Sequence, residues 1–270
     1  MRIISLTSIP PRFPYLLSTL KSLVAQDCVD EVRLYIPKSY RRFPDYDGVL
    51  PTVPEGVKIC EIEHDLGPAT KILPAVKEFS GLDVQILFCD DDLIYHRNWA
   101  KKLFDIQSKR PNEAIATYGR SISYNLHKTS HITKKPHAKI IVTKWDIPYR
   151  IRRLYSKIFN TESPLKRPII RPGYVDMLFG VGGVVVKPRF FDAEAFNIPD
   201  EAWAVDDVWL SGQLAKNNIP LYCPFRLPFA KSNNEADRES LLDSDFLGFE
   251  RQESNTRAAI YCQSKYGIWT

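Results

Sequence analysis

The sequence lacks several things, and each absence excludes a class of function. It has no Cys-x-x-Cys pair, no histidine after His137, no glycine in the segment SLTSIPPR that follows its first apolar run, and no apolar stretch long enough to span a bilayer. The five cysteines, Cys28, Cys60, Cys89, Cys223 and Cys262, are dispersed and odd in number. That pattern argues for free thiols in a reducing compartment, against a disulfide framework or a zinc site. The opening stretch MRIISLTSIPPRF is broken by Pro10 and Pro11 too early for a signal peptide. These features predict a cytoplasmic protein. There are no internal repeats and no low-complexity tracts.

What is present is an ordinary globular composition. The 270 residues are 44% hydrophobic and 26% charged, with a formal net charge of +5. A chain of this length can bury a sizeable core. The mild basic excess is compatible with anionic small molecules or anionic lipid surfaces.

The apolar pattern reads as alternating strands and helices. RIISLTS (2–8) is a first strand, PYLLSTLKSLVAQ (14–26) has helical spacing, and EVRLYI (31–36) is the next strand. A β-α-β opening implies a parallel sheet. VKICEIE (57–63), VQILFC (84–89) and AIATYG (114–119) are further strands. HRNWAKKLFDIQSKRP (96–111) and VDDVWLSGQLAKNN (205–218) are helices, IPLYC (219–223) is a strand, and the tail 234–267 is mainly helical. GVGGVVVKP (180–188) reads as a glycine-led strand. The expected fold is α/β: a single domain over 1–270 with a mixed, mostly parallel sheet flanked by helices. Within it, 1–120 would bind nucleotide, 121–171 is a basic insertion, and 172–270 would bind acceptor.

Three segments carry chemistry. ILFCDDDLI (86–94) ends an apolar run with Asp90, Asp91 and Asp92. Adjacent carboxylates repel, and burial makes them costlier. At the carboxyl end of a parallel strand they face the ligand crevice, where Mg²⁺ or Mn²⁺ holding a diphosphate would offset them. If the segment is extended, Asp90 and Asp92 share a face. The plain alternative is a solvated loop or a helix cap. DLGPATK (65–71) makes a turn into a helix start with Lys71, an anion site or merely a solvated lysine. AVDDVW (204–209) supplies Asp206 and Asp207. One could be a general base, a nucleophile or an electrostatic stabiliser, and either could simply cap a helix.

LFCDDDLI resembles the DXD motif of GT-A glycosyltransferases, and the order of parts agrees: a first strand, DLGPATKI, the acidic strand end, GVGG, then VDDVWL. The similarity runs over about 2–120 and 174–225 and looks closest to exostosin-like and bacterial capsule or lipopolysaccharide transferases. It implies a GT-A-like fold and a metal-dependent hexosyl- or N-acetylhexosaminyl-transferase. Such an enzyme would use a nucleotide-sugar donor of the UDP-sugar kind and a saccharide or glycolipid acceptor, in surface polysaccharide synthesis. It further implies Thr7, Ser8 and Arg12 beside the nucleotide, Lys71 on the diphosphate, Asp90 facing the ribose with Asp91 between, Asp92 on Mn²⁺ or Mg²⁺, and Asp207 with Asp206 at the chemistry. The exostosin-like likeness implies retention of configuration. The late histidine that many members supply to the metal is missing: the chain has His64, His96, His127, His131 and His137.

The stretch 134–171 holds eleven Lys or Arg residues against Asp146 and Glu162. IPYRIRRLYSKIF (147–159) is spaced as an amphipathic helix, which reads first as a helix packed on its own domain with a solvated basic face and, alternatively, fits peripheral contact with a membrane surface. No DNA or RNA module pattern is present, so nucleic acid is not an expected partner. Two other readings remain. A nucleotidyltransferase or sugar-phosphate pyrophosphorylase would also use carboxylates and Mg²⁺, but would carry a glycine-rich loop after its first strand. A non-enzymatic membrane- or polyanion-binding protein would need only the basic insertion.

Overall fold

In the computed structural model, residues 1–126, 134–141, 143–233 and 251–270 are described. His127, His131 and the tail segment 234–250 lie outside them. The chain opens with β1 (Arg2–Thr7), a 3-10 turn at Pro10–Tyr15, α1 (Leu17–Val24), β2 (Glu31–Pro37) and β3 (Val57–Ile62). A second 3-10 turn, Gly67–Lys71, leads into α2 (Leu73–Glu78). Then come β4 (Gln85–Phe88), β5 (Leu93–Ile94), α3 (Trp99–Ser108), β6 (Ala114–Ala116), β7 (Gly119–Arg120) and α4 (Ser123–Leu126). The basic insertion contains β8 (Lys139–Ile140), α5 (Ile147–Ile158) and β9 (Ile169–Arg171). The last part has β10 (Gly173–Val175), β11 (Met177–Leu178), β12 (Val184–Val186), α6 (Asp206–Lys216), β13 (Leu221–Cys223), β14 (Lys231–Ser232) and α7 (Arg251–Tyr266).

Eight strands form one sheet in the order β10-β13-β6-β12-β4-β1-β2-β3. β1, β2, β3, β4, β6 and β13 run one way, while β12 and β10 run against them. This is the mixed, mostly parallel α/β architecture the sequence predicts. The strands come from both ends of the chain, so β12 seats the later part directly against β4.

Alternation along the strands divides the core in two. Ile3, Ile86, Phe88, Val184 and Val186 face one side, where α2, α6 and α7 contribute Leu73, Val208, Trp209 and Cys262. Ile4, Leu6, Leu87 and Val185 face the other, under Leu20 and Leu23 of α1 and Leu103 and Phe104 of α3. All five cysteines are free.

Two sequence expectations shift. The helix expected from Pro14 begins at Leu17; prolines at 10, 11 and 14 remove amide donors, and Pro10–Tyr15 takes the tighter 3-10 path. GVGG is not strand: Gly180–Gly182 form a 3-10 turn before β12. Gly183 has φ +89°, and a Cβ there would lie 2.3 Å from the Trp99 ring. Trp99 also donates its indole N–H to the Gly182 carbonyl at 2.8 Å, so backbone and ring pack too closely for any side chain.

Candidate active site

The carboxyl ends of β1 and β4, the 3-10 turn Gly67–Lys71 and the N-terminus of α6 converge on one cleft of about 670 Å³. This is where a parallel sheet opens to ligands. Thr7, Ser8, Arg12, Lys71, Asp90, Asp91, Asp92, Asp206 and Asp207 all line it. The three segments singled out from the sequence therefore meet.

The acidic turn after β4 does not stay extended. It bends at Asp91 and Asp92 before β5, which defeats the expected sharing of a face by Asp90 and Asp92. Asp90 instead lies 2.6 Å from Lys71 Nζ. Asp91 and Asp92 both meet Arg12, at 2.6 and 3.3 Å. The turn is pinned on its other side: Tyr95 donates its hydroxyl to the Asp90 carbonyl at 2.9 Å, and the Asn233 amide donates to the Asp92 carbonyl at 2.7 Å.

The three aspartates are thereby given different parts. Asp91 is buried, with Ser8 donating to one oxygen at 2.5 Å and Arg12 to the other. Burial still pushes its carboxyl above the usual range despite those partners. Asp91 is a structural anchor for Arg12. Asp90 and Asp92 keep 27% and 22% of their side chains open to the cleft. Burial, then the neighbouring Asp90 and Asp91 charges, push the Asp92 carboxyl up to about 7.

Several residues expected on a nucleotide are already engaged. Thr7 donates its hydroxyl to the Tyr35 carbonyl at 2.8 Å, and the Ser8 hydroxyl is spent on Asp91. Lys71, expected on a diphosphate, lies between carboxylates: its ammonium is 2.9 Å from Asp206 and 2.6 Å from Asp90. Burial pulls its proton affinity down, but Asp206, Asp90 and Asp207 outweigh burial and hold it well above the ordinary range. Arg12 is likewise held by acids, not left open to an incoming anion.

At α6 the two aspartates separate. Asp206 is buried and faces Lys71. It does not cap the helix; Val205 occupies the cap position without a side-chain bond. Asp207 is only half-buried and accepts from the Gly180 amide at 2.8 Å. Burial, then the adjacent Asp206 charge, push its carboxyl up to about 7. Gly180 is how the glycine-rich segment reaches the site.

The segment 37–56, with Tyr40, Arg41, Arg42, Phe43 and Tyr46, reads from the sequence as either a mobile lid or a surface loop, with none of its residues assigned to the site. Tyr40 and Phe43 line the cleft, and Tyr40 packs edge-on to Tyr46 and donates its hydroxyl to the Ser8 carbonyl at 2.9 Å. Segment 37–56 is therefore anchored at its aromatic residues. Trp203 lines the cleft beside Gly67, whose φ of +60° and close approach (2.6 Å from a would-be Cβ to the Trp203 carbonyl oxygen) require glycine. A tryptophan four residues before Asp207 was a usable signal; the Tyr40 contact depends on a long-range fold and was not.

Six aspartates line the cleft, the five above and Asp65, against the cations Arg12, Arg42, Lys71 and Arg120. The cleft thus carries excess carboxylate. Among the described residues no three His, Cys, Asp or Glu side chains converge as a metal cage, and no described histidine lines the cleft. A magnesium-type ion is usually held by one or two carboxylates, with water and phosphate oxygens completing its shell. Asp90 and Asp92, both oxygen donors with open surface, fit that sparser requirement.

The chain matches no protein-family model and no curated protein. Among solved structures it is similar to S. aureus TarS 1–349, at 13% identity over 98% of this chain and 72% of that chain, with a TM-score of 0.45. A likeness that loose says nothing about the site, whose own residues carry the reading.

Proposed function

We propose that the protein is a glycosyltransferase that moves a sugar from a nucleoside-diphosphate donor, of the UDP-sugar kind, to a saccharide or lipid-linked acceptor in surface polysaccharide synthesis. The observation that supports this most is the excess of carboxylate in a cleft of about 670 Å³ at the carboxyl ends of parallel strands. Its size suits one nucleotide-sized ligand. The resemblance of LFCDDDLI to a DXD motif adds to it.

In this reading Asp90 and Asp92 hold Mn²⁺ or Mg²⁺, which when bound offsets charge on the departing diphosphate. Thr7, Ser8 and Arg12 shape the wall beside the nucleotide, with Tyr40 completing it. Asp91 acts on the donor only by fixing Arg12. Lys71 fixes the positions of Asp90 and Asp206.

Asp207 is the carboxylate assigned to chemistry, because it is the more open of the pair and its proton affinity lies near neutrality. A base so poised accepts the acceptor hydroxyl's proton as that oxygen bonds to the anomeric carbon and the bond to the diphosphate breaks. That role gives inversion, in contrast to the retention implied by the exostosin-like resemblance. The anomeric configuration of the product decides between them.

The experiment is calorimetric titration of UDP with and without Mn²⁺ into the wild type and Asp92→Ala. Manganese-dependent binding that the substitution removes is expected. Equal, weak binding in all four titrations would overturn the metal–diphosphate reading.

A further inference from the structure

α5 presents the wrong face to its own domain. Its buried residues are Tyr149 and Ser156. Ile147, Ile151, Leu154 and Ile158, which recur at helical spacing along one stripe, are 60–66% exposed. Tyr155 and Phe159 pack ring against ring on the edge of that stripe, and Trp145 stands exposed in the turn before the helix. A helix packed on its own domain would turn this stripe inward. Here water meets it, which is unfavourable unless something covers it.

The charges around the stripe identify the cover. α5 carries Arg150, Arg152, Arg153 and Lys157 and no acid. Among the described residues no ion pair joins any of these four to a carboxylate. The two acids nearby are committed elsewhere. Asp146 caps α5 by accepting from the Tyr149 amide at 3.2 Å and lies 3.8 Å from Arg226, while Glu162 pairs with Lys231. An aliphatic stripe flanked by uncompensated cations, with Trp and Tyr at its border, matches the boundary of an anionic bilayer: acyl chains for the stripe, phosphates for the cations. A second copy fits poorly, because a two-fold contact through α5 would set the same four cations against each other.

We infer that α5, with Trp145 and Phe159, docks the protein on an anionic lipid surface, lying in the plane of the interface. No described helix is long and apolar enough to cross a membrane. The docking face is joined to the cleft: Glu162, just beyond α5, pairs with Lys231 of β14, and the neighbouring Ser232 lines the cleft. This inference does not rest on the transferase reading.

The test is co-sedimentation of the full chain with phosphatidylcholine vesicles and with vesicles containing about 30 mol % phosphatidylglycerol, a charged-leaflet composition. The expected result is binding to the anionic vesicles at least about tenfold above the neutral ones. Ile151→Asp/Leu154→Asp should reduce it to background, and Arg152→Glu/Arg153→Glu should remove the anionic preference. All four side chains are exposed, so far-UV circular dichroism and UDP binding should be unchanged in both variants. Absence of wild-type binding to anionic vesicles overturns the proposal. So does undiminished binding by the aspartate variant, or self-association of the wild type in sedimentation velocity that the same variant abolishes. Sedimentation requires neither donor nor turnover, so its failure and a failure of the UDP titration are separate results.

Discussion

Lys71 reaches Asp206 at 2.9 Å across the whole length of the intervening chain, and it is buried where it does so. The same ammonium holds Asp90 at 2.6 Å. One cation therefore ties the acidic turn after β4 to the N-terminus of α6, the two segments on which the proposed chemistry depends.

Removing that cation should be costly in a pH-dependent way. Lys71→Met leaves Asp90, Asp206 and Asp207 facing one another without it, and breaking a buried pair costs about 3–5 kcal/mol. Lacking the ammonium that lowers it, the Asp207 carboxyl binds its proton still more tightly in the folded state. The deficit is then largest at pH 8 and shrinks toward pH 5, where protonation relieves the repulsion. Urea midpoints at the two pH values check this; a deficit of the same size at both would mean that Lys71 contributes packing alone.

Asp207 should trade stability for function. Its folded carboxyl titrates near 7, whereas an unfolded aspartate titrates near about 4. The folded state holds the proton more tightly, so this group's contribution falls as pH rises from about 4 to about 7. Asp207→Asn keeps an oxygen for the Gly180 amide and removes the charge. It should gain about 1–2 kcal/mol at pH 8, discounted for the weakened attraction to Lys71, and nothing near pH 4. Sugar transfer should fall by about 100-fold or more. Destabilisation at pH 8 would show that the ionised carboxylate is needed as a partner for Lys71.

Asp91 and Asp92 should part company although they are adjacent. Asp91→Ala takes from the buried Arg12 guanidinium its 2.6 Å partner, leaving it Asp92 at 3.3 Å, and removes the acceptor of the Ser8 hydroxyl, so about 1–3 kcal/mol of stability should go with it. Asp92→Ala removes a partly open carboxylate whose charge burial and the adjacent Asp90 and Asp91 disfavour, and should change stability by less than about 1 kcal/mol. It should nevertheless abolish manganese-dependent UDP binding. Chemical denaturation of both variants beside the calorimetry separates anchor from ligand, and matching stability losses would erase the distinction.

The residues that could be read from the sequence are those whose role is local. β1, β2, β3 and β4 are apolar runs bounded by proline, glycine or charge, and both acidic segments sit at element ends, where they mark a cleft. The direction of β12 was not legible, because side-chain alternation is the same for a strand run either way. Neither was the division of work among Asp90, Asp91 and Asp92, which follows from the bend at Asp91 and the reach of Arg12. The Lys71–Asp206 pair needed the sheet order to be known. For α5 the spacing gave an apolar stripe and left open whether that stripe turned inward.

Gly180 offers a test of the whole constellation from a residue with no side chain. Its amide donates to Asp207 at 2.8 Å. A Cβ there would stand 2.6 Å from Lys71 Nζ and 3.3 Å from Asp90 Oδ1. Gly180→Ala must therefore push the ammonium away, and Lys71 has little room to yield because it is buried between acids. The displaced charge stabilises the Asp207 carboxylate less, so its pKa, already near 7, should rise further. If Asp207 is the base, the acid limb of the transfer rate moves to higher pH, and the rate at pH 7 falls by about tenfold or more. At pH 9, where the carboxylate is ionised in both proteins, much of the loss should be recovered. A loss equal at all pH values would place the damage in donor binding and remove Asp207 from the proton transfer.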